Sequence, residues 1–243
     1  MSRLVSGLQP VREAIRARGT ELEKVLVARG AGEDAQLDAI ARFAKDHGVT
    51  VERVARPELD RLARGARHQG AIAFAPDLQL ASLEDVATNA SALVVALDEL
   101  QDPQNFGAIV RSSVALGATA VLWPEHRSAP LSTAMFRASA GAVEHATLCR
   151  VPALPEALAS LKAAGLTVVG LDMNGTESID RVPLEGGVVL VIGAEGKGLR
   201  KPVKSACDRI ARLPMHAAIA SLNASVAAGI ALYEVARQRA ARG

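Results

Sequence analysis

Two kinds of apolar pattern divide the chain. Up to about residue 75, short apolar runs alternate with segments whose apolar positions recur at helical spacing. VREAIRARG (11–19) predicts a short helix and LEKVLVARG (22–30) a strand. AQLDAIARFAKDHG (35–48) predicts an amphipathic helix closed by Gly48. VTVERVA (49–55), RPELDRLARG (56–65) and GAIAFAP (70–76) predict strand, helix and strand. Residues 1–75 therefore read as a small α/β domain. Residues 76–90 open on Pro76, carry many polar residues and lack a strong apolar face, so they predict a linker holding one short helix.

From about residue 91 the apolar runs become nearly continuous. ALVVALDEL (92–100), ATAVLWP (118–124), LTVVGLD (166–172) and GVVLVIG (187–193) have the pattern of strands covered on both faces. ATLCRV (146–151) and RIARLPM (209–215) are shorter candidates. Helical patterns intervene at about 105–116, 130–141, 153–164 and 220–241. Residues 91–243 thus predict an α/β domain, an open parallel sheet with helices on both faces. Such sheets bind ligands beyond the carboxyl ends of their strands. Three polar or glycine-rich stretches fall there: DPQNFGAIVR (102–111), VIGAEGKGLRKP (191–202) and LPMHAAIASLNASVAAG (213–229).

Composition narrows the function classes. With 49% hydrophobic and 22% charged residues the chain should fold. No apolar run approaches the roughly 20 residues that cross a bilayer, and MSRLVSGLQPVREAI has no apolar signal core. No membrane partner and a cytoplasmic location are the expectation. Cys149 and Cys207 are too few for a zinc knuckle or a disulfide framework, and the five histidines lack metal-site spacing. No bound metal is expected. A net charge of +2 permits a local basic face without making the chain a polycation. At 2% aromatic residues, a platform of stacked rings for RNA bases is not expected.

The three stretches carry the chemistry. Gly193, Gly196 and Gly198 allow backbone amides close to a ligand, but their spacing is neither GxGxxG nor a Walker loop. That argues against a dinucleotide-dependent oxidoreductase. Glu195 is an unusual carboxylate for such a turn. Ser221, Asn223 and Ser225 stand before a helix of small residues, where a single N-cap would suffice. Asn105 and Arg111 put an amide and a cation at a strand-to-helix corner.

NFGAIVRSSVALGA, IGAEGKGL and LPM…SLNASVAAGIALYE, in that order, resemble the three motifs of the SpoU (TrmH) family of RNA ribose 2′-O-methyltransferases. SGLQPVREAI and HQGAIA resemble the start and end of that family's RNA-binding domain, so the likeness spans the whole chain. The resemblance implies a trefoil-knotted α/β catalytic domain of the SPOUT type behind an L30e/L7Ae-like domain. It implies S-adenosylmethionine held by Gly193, Leu213 and Leu222, with Glu195 and Gly196 beside it, and a homodimer with the site near the subunit interface. Asn105, Arg111, Glu195, Ser221 and Asn223 would form the catalytic group, and Ser225 would touch substrate. The family's assignment has Arg111 take the ribose proton. A guanidinium is a very weak base partner because it holds its proton at neutral pH, which makes that difficult, and a fork that holds phosphate and ribose and stabilises the developing alkoxide is the physical alternative. The implied substrate is a guanosine in the peptidyl-transferase region of 23S ribosomal RNA. A transfer RNA substrate and a non-catalytic ribosomal-RNA assembly role are the alternatives. Arg56, Arg61, Arg64 and Arg67, with Arg127 and Arg137, are candidates for phosphate contacts.

Overall fold

The computed structural model describes residues 2–29, 34–216 and 221–241. The chain forms two compact units: Met1–Gln79 with Ser139–His145, and Leu80–Ala138 with Ala146–Gly243.

The first unit contains β1 (Ser2–Ser6), α1 (Leu8–Arg18), β2 (Lys24–Ala28), α2 (Ala35–Asp46), β3 (Val51–Val54), α3 (Arg56–Ala63) and β4 (Ala71–Pro76). The sheet runs β1-β4-β2-β3; β4 is antiparallel to β1 and β2, and β2 is parallel to β3. Ile15, Leu59 and Ile72 are fully buried, and removing each from water is worth about 1.5–3 kcal/mol. Strand β1 has no counterpart in the pattern reading, because only Val5 of its five residues is buried.

The expected helix at 130–141 stops at Ala138 instead. Ala140 and Gly141 take left-handed backbone, φ 50 and 89, which ends a helix. A Cβ on Gly141 would lie 2.8 Å from Glu13 Cβ and 2.9 Å from Pro10 Cα, so only glycine lets this segment lie on α1. Glu144 then receives a two-pronged ion pair from Arg3, both contacts 2.8 Å.

The second unit contains α4 (Leu83–Ala87), β5 (Leu93–Asp98), α5 (Pro103–Ala115), β6 (Ala120–Pro124), α6 (Thr133–Ala138), β7 (Leu148–Val151), α7 (Leu154–Ala163), β8 (Thr167–Leu171), β9 (Glu177–Ser178), β10 (Val188–Gly193), α8 (Lys201–Ala206), β11 (Arg209–Arg212) and α9 (Ala224–Ala240). Among the described residues its strands are ordered β7-β6-β5-β10-β8-β11-β9, and their pairings are parallel. β5 is buried along its whole length and β10 along all but its last residue, as the continuous apolar runs required. β9 is two residues long and α8 buries only Val203, so neither leaves a readable period. The last helix starts at Ala224 rather than at about 220, because Asn223 caps it. Part of the expected linker is built into this sheet: Leu80 bridges Leu148, and Ser82 and Asp85 form a capping box on α4.

Candidate active site

The site lies at the carboxyl ends of β5, β8 and β10. β10 ends at Gly193, level with Asp98 of β5. The chain then turns through Gly196 and Gly198, at φ 74 and 64, and the Gly198 amide donates back to the Ala194 carbonyl at 2.9 Å. A Cβ on Gly193 would sit 2.4 Å from the Gly198 carbonyl oxygen. The loop closes this tightly only because residue 193 has no side chain.

Behind the loop is a cavity of about 90 Å³, partly open to solvent. Leu171, Ile192, Leu213 and Leu222 give it apolar walls, and Gly193, Gly196 and Gly198 give it a backbone floor. Ser221, Glu195 and Asp172 supply its polar groups. The sequence reading passed over Asp172, whose only signal was its place just past β8. Its carboxylate accepts from the Asn174 amide at 2.8 Å and pairs with Lys204 at 3.1 Å. Two carboxylates, apolar walls and open backbone groups suit a ligand with a flat apolar part and a positive charge.

Beside the cavity the three motifs meet. Asn105 Nδ2 donates to Glu195 Oε2 at 3.3 Å. Asn223 Nδ2 donates to Asn105 Oδ1 at 2.9 Å and to the same Glu195 oxygen at 3.3 Å. Asn223 Oδ1 accepts from the Ser225 amide and hydroxyl, at 2.9 and 2.6 Å, and so caps α9. Asn105 would ordinarily cap α5, but Asp102 does that, accepting from the Gln104 and Asn105 amides at 3.0 and 3.2 Å. The Asn105 side chain is thereby released to turn inward, 7% exposed.

The other expected residues are placed differently. Arg111 is exposed on α5, does not line the cavity, and has no hydrogen bond or ion pair among the described residues. Ser225 is engaged by Asn223. Arg56, Arg61, Arg64 and Arg67 are exposed on the first unit, without ion pairs among the described residues. Arg127 pairs with Glu99 at 3.2 Å, and Arg137 is exposed on α6. Residues 217–220 of the third stretch lie outside the described residues. Burial pushes the Cys207 thiol up to about 12, and Cys149 upward as well. Both stay protonated at neutral pH, so neither is poised as a nucleophile.

A family model described as the SpoU rRNA methylase family matches residues 92–233. A second, described as RNA 2′-O ribose methyltransferase substrate binding, matches residues 4–81. A protein of Mycolicibacterium vanbaalenii, named an uncharacterized tRNA/rRNA methyltransferase, is 42% identical over 241 residues, 97% of this chain and 76% of that protein. The SpoU methyltransferase AviRb from Streptomyces viridochromogenes, in complex with AdoMet, superposes with a TM-score of 0.79 at 26% identity, over 99% of this chain and 91% of that one. An AdoMet-bound rRNA methyltransferase from Sinorhizobium meliloti superposes at 0.78 with 26% identity, over 97% of this chain and 87% of that one.

Proposed function

This chain belongs to the SpoU rRNA methylase family, and on that footing we propose that it methylates a ribose 2′-oxygen of ribosomal RNA with S-adenosylmethionine. The target we propose is a guanosine in the peptidyl-transferase region of 23S rRNA, in the cytoplasm. The observation that carries the reading is the junction of a glycine-floored cavity with the Asn105–Glu195–Asn223 cluster.

The cavity fits the cofactor chemically. Leu171, Ile192, Leu213 and Leu222 suit a purine ring, and the loop backbone at Gly193–Gly198 can meet its polar edges. Asp172 and Glu195 favour a positive charge beside them. When bound, S-adenosylmethionine supplies the electrophilic methyl group for in-line displacement by the ribose oxygen. The chain's own contribution is position and charge. Glu195 is held by two amides and presents a fixed carboxylate at the cavity mouth. Arg111 grips the target phosphate and ribose and stabilises the oxyanion that develops as the hydroxyl proton departs to solvent water.

Arg111 does not line the cavity of its own chain. A second copy accounts for this. Val226, Ile230 and Tyr233 are 49%, 42% and 61% exposed and recur at one helical face of α9. α9 packs on α5 beside Arg111, where Ser112 Oγ lies 3.9 Å from the Cβ position of Gly229. A homodimer joined through this face would bring the Arg111 of one protomer toward the cavity of its partner. We assign RNA capture to residues 1–75, the linker to 76–90 and methyl transfer to 91–243, with the trefoil threading of the C-terminal segment as part of that proposal.

Labelled S-adenosylmethionine, the full chain, 23S rRNA and bulk tRNA test the reading. Label should enter 23S rRNA and not tRNA. Arg111→Ala should stop transfer while calorimetry still shows cofactor binding. Label in tRNA alone would move the substrate, and wild-type turnover by Arg111→Ala would remove that residue from the chemistry.

A further inference from the structure

Glu99, the first residue after β5, takes left-handed backbone at φ 52. A glutamate there is strained, and such strain persists only where the surroundings hold it. Its carboxylate lies between two guanidinium groups: Oε1 is 3.2 Å from Arg200 Nη1 and 3.2 Å from Arg127 Nη1. The residue before it, Asp98, has a side chain that is 0% exposed. Asp98 accepts from the Arg200 backbone amide at 2.8 Å, and its other oxygen meets Arg200 Nε and Nη2, each at 2.7 Å.

Arg200 is where the glycine loop ends and α8 begins. The other end of that loop, Gly193, stands level with Asp98 in the sheet. Asp98 therefore meets both ends of the loop that floors the cavity, Gly193 as its neighbour in the sheet and Arg200 through its carboxylate, and Glu99 adds a second hold on Arg200. Asp98 holds the Nε and Nη2 side of the planar Arg200 guanidinium through a single oxygen and leaves Nη1 without a partner from that carboxylate. Glu99 takes up Nη1, and Arg127, 72% exposed, braces Glu99 from the loop after β6. None of these four side chains lines the cavity.

We infer that Glu99 and Arg200 are positioning residues, which hold the loop Gly193–Arg200 in the shape that receives the cofactor. The inference rests on the reading that this cavity takes S-adenosylmethionine. It explains why a strained glutamate stands where asparagine or glycine would sit without cost.

Glu99→Asn in the full chain is the test, because asparagine tolerates left-handed backbone and removes the charge. Calorimetry with S-adenosylmethionine and with S-adenosylhomocysteine should show Kd raised about fivefold to tenfold, the scale of one net intramolecular hydrogen bond. Hydrogen exchange of the amides from Ala194 to Leu199 in the ligand-free protein should quicken, while Tm holds. Turnover at saturating cofactor should change less than KM for the cofactor. Should Glu99→Asn fail to fold, Glu99→Gln, of the same shape without the charge, carries the same readouts. A lower Tm with unchanged Kd and unchanged exchange would make Glu99 merely structural and overturn the inference. If the wild-type protein binds neither compound, the cofactor reading fails instead, and the exchange of the loop amides still decides the role of Glu99.

Discussion

Asn105 does its work because Asp102 does another job. With Asp102 capping α5, both polar atoms of the Asn105 amide are spent on Glu195 and Asn223. Asn105→Ala would leave Asn223 Nδ2 without one acceptor and Glu195 without one donor. For partly buried groups this costs about 1–3 kcal/mol, so urea denaturation should show a loss in that range together with a fall in turnover. Asn105→Asp should be at least as harmful, since it sets a second carboxylate against Glu195; equal stability of both variants and wild type would dissolve the cluster. Glu195 alone stands out in the sequence as a residue type unusual for its turn; Asn105 and Asn223 suit turns and caps, and it is the resemblance to the three motifs that marks them. The sequence could not show that the three touch, since 90 and 118 positions separate Asn105 from its two partners. Asp98, Glu99 and Arg200 left no sign at all. An ion pair between distant loops has no period, and a left-handed glutamate looks like any other in a string of letters.

The elements that carry the site were legible where burial on both faces imposed a continuous apolar run, as in β5 and β10. They were illegible where the element was too short to repeat, as in β9 and α8, or where two left-handed residues cut a helix, as at Ala140 and Gly141. The last helix shows a third case. Its small residues allow a close neighbour, and α5 supplies one on the side of Ala228 and Gly229. Its other face, at Val226, Ile230 and Tyr233, stays exposed in the single chain. Burying such a face offers the stabilisation expected of an obligate contact. Ile230→Glu with Tyr233→Glu should therefore convert a sedimenting dimer to monomer and lower methyl transfer. A wild-type chain that sediments as monomer would refute the paired arrangement.

On the scale of the molecule, a chain of net charge +2 must concentrate its cations to hold RNA. The exposed Arg61, Arg64 and Arg67 around the end of α3, without ion pairs among the described residues, are such a concentration. Replacing them by Gln, Asn and Gln, with Asn at the left-handed position 64, should lower the slope of log affinity against log salt by about 2, near 0.7 for each lost phosphate contact with single-stranded RNA. An unchanged slope would place the RNA elsewhere. No helix among the described residues is long and apolar enough to cross a membrane. The most direct measurement of the whole account is partial alkaline hydrolysis of 23S rRNA after incubation with the full chain and S-adenosylmethionine. Hydrolysis needs a free 2′-hydroxyl, so ribose methylation should erase a single band of the ladder, at a guanosine of the peptidyl-transferase region. An intact ladder on RNA that has taken up methyl label would mean the methyl went to a base, and the ribose mechanism would be wrong.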